Sequence, residues 1–356
     1  MSGSSPRLLI AASGTGGHVF PAVAIAEQLK DYEVEWLGVP DRLEVQLVGN
    51  HYRLHTIRVA GFQGKPGLNT LKTLGKLIKS IWQVRRILQQ GQFSGVFTTG
   101  GYIAAPAILA ARSLGLPVIL HEANALPGKV TRFFAPWCSE VAIGFAAAAQ
   151  HLKGKGLMTG TPVRGQFLQE SSPLWDLQIP EAVPLIVIVG GSQGAVAVNR
   201  LIRQCAPAWV EKGIWMVHLT GEADPEQGSF QHPHYVERPF YNNMASLLLR
   251  ASLAISRAGA GTLTELAMTQ TPSILIPYPF AAEDHQAYNA KVFVEAGAAE
   301  MFRQEQLLPE TLQTLVLDLL NSPDRDRMAK QAASLAVPDS AHQVAQLIRE
   351  QLSNSQ

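Results

Sequence analysis

The sequence predicts an α/β protein of two doubly wound, parallel-sheet units. Three observations carry that expectation. Short, continuously apolar runs alternate with helix-length segments along the chain. The succession strand, glycine turn, helix occurs at "RLLIAASGTGGH" and again at "PLIVIVGGSQGA". The chain has 356 residues, 47% hydrophobic and 16% charged, enough apolar material for about two cores.

Taken in order, "RLLIAA", "EVEWLGV", "GVFTTG", "PVILHE" and "EVAIGF" read as strands of the first half. "PLIVIVG", "IWMVHLTG", "HYVERPF", "LAISRAG" and "PSILIPYP" read as strands of the second. Strands of a parallel sheet lack polar alternation because helices cover both faces. Segments 21–30, 68–90, 102–114, 195–212 and 260–269 supply the helices between them. A last helix, 339–352, starts at a cap formed by Asp339 or Ser340. The linker falls at "GTPVRGQF" (160–167) and the proline-containing loop after it.

The formal net charge of +1 singles out no class of partner, and no nucleic acid is expected. Cys138 and Cys205 lie far apart, with neither metal spacing nor a disulfide framework, which fits a reducing compartment. No apolar stretch reaches the ~18 residues of a spanning helix. The N-terminal stretch lacks the layout of a secretory signal. A soluble, cytoplasmic chain is expected. Local charge is uneven: no acidic residue occurs between Glu44 and Glu122, a stretch holding Arg53, Arg58, Lys65, Lys72, Lys76, Lys79, Arg85, Arg86 and Arg112. Such a bias suits a surface that meets anions.

Several segments carry candidate chemistry. In Gly14, Thr15, Gly16, Gly17, glycines let a ligand approach the backbone, and the following helix aims N–H groups at it. The spacing departs from a dinucleotide fingerprint, with Val19 at the third glycine position, and no P-loop lysine follows. Taken alone, this is equally a tight turn. His18, just inside the helix, is a candidate general base or a packing residue. In "GGSQGA", Ser192, Gln193 and flanking amides can hold phosphate oxygens. In "SRAGAGTLTELA", Gly259 and Gly261 precede Thr262, Thr264 and Glu265. The amides would take a diphosphate, Glu265 a ribose diol, and Arg257 would be a counter-charge. "AAEDHQAYNA" (281–290) reads as a polar loop before a helix. Asn124 in "HEANALPG" and Arg164 in "GTPVR" lie at strand ends. Residues 68–90 place Lys72, Lys76, Lys79 and Arg86 on one helical stripe and Leu71, Leu74, Ile78, Ile81 and Trp82 on another. Phe62 is in the adjacent loop. This pattern suits an anionic membrane surface, or a core helix with a solvated face.

Taken together, "GTGGHVFPAVAIAEQL", "GGYIAAPAILAARSLGLPVILHEAN", "GTPVR", "GGSQGA" and "SRAGAGTLTELA…EDHQAYNA" resemble the MurG family of bacterial N-acetylglucosaminyltransferases. The resemblance spans nearly the whole chain in order. It implies a GT-B fold, two Rossmann-like domains facing a deep cleft. The first is acceptor- and membrane-facing over 1–162, with the C-terminal helix 339–356 packed back on it. The second binds the UDP-sugar over 163–338. It implies inverting transfer of N-acetylglucosamine from UDP-N-acetylglucosamine to the 4-hydroxyl of the muramoyl unit of lipid I, giving lipid II at the cytoplasmic face of the plasma (inner) membrane. Contacts with other cell-wall synthesis or division proteins are implied as well. Matched to donor-binding positions are Thr15, Gly16, Gly17, Asn124, Arg164, Ser192, Tyr241, Ala260, Gly261, Thr262, Leu263, Thr264, Glu265 and Gln286. Tyr241 would meet uracil through its backbone, Glu265 the ribose, and Gln286 the sugar hydroxyls. Gly14 and Tyr102 fall on the acceptor side. The chain has Ala123 and Thr161 where many members have glutamine and asparagine.

No cofactor or metal is expected. An Asp-x-Asp motif is taken as missing, and helix amides with Arg164 would carry the leaving diphosphate. Three alternatives are a GT-B transferase acting on another lipid such as diacylglycerol, a nicotinamide oxidoreductase, and an inactive sugar-nucleotide sensor or membrane scaffold.

Overall fold

The computed structural model describes residues 5–59, 68–152, 156–169, 174, 176–191 and 194–354, with side chains from residue 73 onward in the helix that begins at 68. The chain divides into two compact units, Met1–Arg164 with Pro338–Gln356, and Gly165–Val337.

Strands β1 (Arg7–Ala11), β2 (Glu33–Gly38), β3 (Arg53–Thr56), β4 (Gly95–Thr98), β5 (Val118–Glu122), β6 (Glu140–Ile143) and β7 (Leu157–Met158) form the first sheet, and every pairing in it is parallel. Their order is β3-β2-β1-β4-β5-β6-β7. The same unit holds α1 (Gly16–Ala26), α2 (Leu43–Val48), α3 (Leu68–Gln90), α4 (Ala104–Arg112) and α5 (Lys129–Phe134).

In the second unit, β8 (Leu185–Val189), β9 (Trp215–Leu219), β10 (Tyr235–Arg238), β11 (Leu253–Ser256), β12 (Ser273–Leu275) and β13 (Ala299–Met301) form a parallel sheet. Its order is β10-β9-β8-β11-β12-β13. It carries α6 (Val196–Val210), α7 (Met244–Arg250), α8 (Ala260–Met268), α9 (His285–Glu295), α10 (Pro309–Asn321) and α11 (Asp324–Ser334). The last helix, α12 (Ser340–Ser353), belongs to the first unit.

The continuous apolar runs follow from this layering. On β1, Leu8 and Ile10 pack with Ile25 of α1 and Val344 and Ile348 of α12, while Leu9 and Ala11 pack with Val84, Leu88 and residues of α4. Both faces of one strand are therefore core, each fully buried Leu or Ile contributing about 1.5–3 kcal/mol. A two-point ion pair fixes the docked helix: Arg349 donates to Asp31 Oδ1 and Oδ2 at 2.8 and 2.9 Å.

The structure adds elements to the sequence reading. Strands β3, β7 and β13 are short sheet-edge elements, and β3 and β13 carry polar side chains. Helices α2, α5, α7, α9, α10 and α11 are also additional. α11 buries only Met328 and Ala332, so its apolar period is faint. α1 starts at Gly16, earlier than residue 21, because its first turn uses poor helix formers next to the glycine turn.

Candidate active site

Doubly wound sheets bind ligands outside the carboxyl ends of the strands, where strand order reverses. In the first unit that reversal lies between β1 and β4. The loops after these two strands carry Gly14–His18 and Gly100–Tyr102. Thr15 is the N-cap of α1, and Gly16 and Gly17 form its first turn. Amides in a helix's first turn lack partners inside the helix and sit at its positive end, so these two suit an anion. Gly14 differs: its N–H donates to Glu44 Oε2 at 3.1 Å, while Val39 N–H donates to Oε1 at 2.8 Å. Glu44 is wholly buried and ties the turn to α2.

His18 Nδ1 lies 2.8 Å from the carbonyl oxygen of Thr99, at the end of β4. A carbonyl only accepts, so Nδ1 carries the hydrogen and Nε2 is the nitrogen able to take a proton. Gly101, with φ +72°, has the left-handed backbone that favours glycine. A Cβ there would stand 3.8 Å from His18 Nε2, so glycine also keeps that flank clear. Tyr102 follows, half exposed.

After β5, Glu122 organises the loop. Its Oε1 accepts from Asn124 N–H and Nδ2 at 3.0 and 2.9 Å, and its Oε2 from Gly128 N–H at 3.0 Å. His121 is buried with Nε2 2.9 Å from Gly160 O, and burial pushes its pKa below the usual histidine value. Arg164 extends over the ring of Phe20, its guanidinium carbon 4.9 Å from the centroid, which brings it to the α1 side of the same sheet end.

In the second unit the reversal lies between β8 and β11. The glycine turn 190–195 follows β8, and the Arg257–Gly259 segment follows β11. Ser192 and Gln193 lie outside the described residues. Gly194 has φ +74°, and a Cβ there would meet the Thr220 carbonyl oxygen at 2.5 Å, so only glycine fits. Asn199 of α6 donates to that same carbonyl at 3.0 Å. Behind it is a buried network. His218 Nε2 contacts Asn199 Oδ1 at 3.0 Å, and Arg203 pairs with Asp224 and, at 2.6 Å, with Glu237. Burial pushes His218 down to about 3, so it stays neutral.

Gly259 caps α8, whose first turns carry Ala260–Glu265. Leu263 is core with its N–H donating to Gly259 O at 3.0 Å, and the Thr264 hydroxyl donates back to Ala260 O at 2.9 Å. Thr262 and Glu265 are half-buried. Arg257 occupies an internal position. It donates to the carbonyls of Ile276 and Pro277 and, at 2.6 Å, to Gln304 Oε1. Burial lowers it to about 10. Gln286 Oε1 accepts from Ala258 N–H and Tyr278 N–H at 3.2 and 2.9 Å, so its Nε2 is the group turned outward for donation. The Tyr241 hydroxyl donates to Asp176 at 2.8 Å. Burial and that carboxylate push it up to about 12.

On α3, Leu77 and Ile81 pack on the core and Val84 and Leu88 lie inside it. Leu74, Ile78 and Trp82 are exposed, Trp82 by 68%. The stripe read from sequence is therefore split: Ile81 turns inward, and Leu74, Ile78 and Trp82 form a separate outward stripe. At about 100° per residue, Lys79 and Arg86 lie beside it, whereas Lys76 falls about 160° from Ile78; all three are exposed. Phe62 and the side chains of Leu71 and Lys72 lie outside the described residues.

Among the described residues, no cluster of three or more His, Cys, Asp or Glu could hold a metal, and no helix is long and apolar enough to cross a membrane. Contrary to the expectation that the motif is missing, the chain contains an Asp-x-Asp triplet, Asp324–Asp326. It opens α11, where Asp324 pairs with Arg327 and Asp326 with Arg325.

The comparisons with known proteins agree with this architecture. Residues 8–143 match the N-terminal domain model of glycosyltransferase family 28, and residues 185–344 match its C-terminal domain model. The chain belongs to glycosyltransferase family 28. A relative from Nostoc punctiforme is 63% identical, covering 98% of this chain and 99% of that protein. One from Synechococcus elongatus is 57% identical, covering 98% and 99%. Both are named UDP-N-acetylglucosamine--N-acetylmuramyl-(pentapeptide) pyrophosphoryl-undecaprenol N-acetylglucosamine transferase. The crystal structure of Acinetobacter baumannii MurG is 30% identical, with a TM-score of 0.78, covering 97% of this chain and 99% of that one. The glycosyltransferase of kitacinnamycin, 15% identical at TM-score 0.76, shares the fold. Family 28 membership places both sheets in a GT-B glycosyltransferase.

Glu44, Glu122 and Asn199 were not singled out from sequence. Glu122 had a signal, a carboxylate ending the apolar run "VILHE". Glu44 and Asn199 had none, because their partners are fixed only by the fold.

Proposed function

We propose that this chain transfers N-acetylglucosamine from UDP-N-acetylglucosamine to lipid I, the undecaprenyl-pyrophosphoryl-N-acetylmuramoyl-pentapeptide, forming lipid II for peptidoglycan. The observation that carries this is the relatedness across the full length, 57–64% identity to proteins bearing that name. His18 is the base. Its Nε2 takes the proton of the muramoyl 4-hydroxyl as that oxygen attacks the anomeric carbon. The bond from that carbon to the UDP oxygen breaks, configuration inverts, and the electron pair leaves with UDP. Amides at the starts of α6 and α8 receive the diphosphate, an arrangement that stabilises developing charge without solvent reorganisation. Glu265 accepts from the ribose, and Gln286 Nε2 donates to the transferred sugar.

The exposed stripe of Leu74, Ile78 and Trp82, with Lys79 and Arg86 beside it, is the proposed contact with an anionic membrane carrying the acceptor. Apolar side chains enter the interface while cations meet lipid headgroups. The deciding experiment is incubation with labelled UDP-N-acetylglucosamine and either a lipid I analogue or diacylglycerol. Label in a disaccharide-lipid from the lipid I analogue alone is expected; label in a glycolipid from diacylglycerol alone would contradict the assignment.

A further inference from the structure

We infer that Asp284 and Arg303 are positioning residues for Gln286, acting by holding a strained turn; this rests on the reading of Gln286 as a donor-sugar contact. The turn before α9 contains two consecutive non-glycine residues in the left-handed region, Glu283 at φ +52° and Asp284 at φ +57°. Such residues persist only where surrounding structure holds them. Here the restraint is visible. Arg303, just after β13, donates to Asp284 Oδ1 at 2.8 Å and Oδ2 at 2.6 Å, a two-point contact that fixes orientation as well as distance. The Asp284 N–H adds a bond to Ala281 O at 2.9 Å.

The turn sets where α9 begins, and Gln286 sits in its first turn. Its Oε1 is held by amides from two other loops, those of Ala258 and Tyr278. Arg257 and Gln304 join the same loops from the other side. The segments after β11, β12 and β13 are therefore tied together, and the Arg303–Asp284 pair is the tie that reaches the α9 turn. Without it the turn relaxes out of the left-handed region, α9 frays at its start, and Gln286 Nε2 loses its fixed direction. The nucleotide contacts proposed at α6 and α8 are on other elements, so the loss falls on the sugar.

Calorimetric titration of the full chain with UDP-N-acetylglucosamine and with UDP tests this. For Arg303→Ala, the Kd for UDP-N-acetylglucosamine rises about tenfold, equivalent to about 1.4 kcal/mol. The Kd for UDP stays within about twofold, less than about 0.4 kcal/mol, because UDP carries no sugar for Gln286 Nε2 to meet. Glu283→Gly, which adopts positive φ freely, restores part of the loss in the Arg303→Ala background. Arg303→Lys keeps the charge without the two-point contact and gives the same split at smaller amplitude, which covers an Ala variant that does not fold. Equal weakening of both ligands, or no change in either, overturns the proposal. Wild-type protein that takes up UDP but no UDP-N-acetylglucosamine contradicts the donor-sugar reading itself, and the proposal falls with it.

Discussion

At the scale of single residues, the chemistry depends on which atoms are already occupied. Thr99 O takes the Nδ1 hydrogen of His18, which leaves Nε2 for the proposed role of base. Removing that base lowers kcat by roughly 10²–10⁴, the usual share of general base catalysis. Steady-state kinetics of His18→Gln with saturating acceptor are expected to show this, with UDP affinity unchanged; near-normal turnover would remove His18 from the mechanism. Glu122 is different in kind. It satisfies three N–H donors in the Asn124 loop, so Glu122→Ala strands them. A loss of roughly 2 kcal/mol or more is expected by urea unfolding, because unpaired buried donors keep their desolvation penalty.

At the scale of elements, α3 has one face in the core and one exposed apolar stripe. Val84 and Leu88 anchor it to the sheet, so the outward Leu74, Ile78 and Trp82 contribute nothing to that core. Replacing all three by serine should leave turnover of a water-soluble acceptor analogue near wild type and reduce sedimentation with anionic vesicles at least tenfold, given about 1.5–3 kcal/mol per large apolar side chain. Unchanged vesicle binding would move the membrane contact elsewhere. The buried network behind α6 makes a pH prediction. An unfolded histidine titrates near 6.5, whereas folded His218 stays neutral down to about 3 and burial also lowers His121. Above about pH 6.5 both states are neutral, and these groups add no pH dependence. Below it the unfolded chain binds protons that the folded chain refuses. Stability then falls as pH falls, by up to about 1.4 kcal/mol per pH unit for each histidine. Urea unfolding at pH 7 and pH 5 checks this, and His218→Gln should flatten the slope.

At the scale of the whole molecule, the fold was largely legible and the site partly so. Buried strands such as "LLIA" and "LIVIV" declare themselves because both faces are core, and the two glycine turns mark the switch points of two parallel sheets. Edge strands and helices with few buried residues escape that signal, as β3 and α11 did. Candidate residues lying in motifs, such as His18 and Glu265, could be named. Their partners could not, since His18 meets a carbonyl 81 residues away and Arg303 meets Asp284 from another loop. Arg257, in a motif, turned out to brace loops because neighbouring carbonyls take its donors.

The central claim is inverting transfer of N-acetylglucosamine to the muramoyl 4-hydroxyl of lipid I. It is tested most directly by proton NMR of the product formed from UDP-N-acetylglucosamine and a lipid I analogue. A new β-linked N-acetylglucosamine on the muramoyl 4-position is expected, formed by the wild-type chain and nearly lost in His18→Gln. An α-linked product, or no disaccharide-lipid from the wild-type chain, would contradict it.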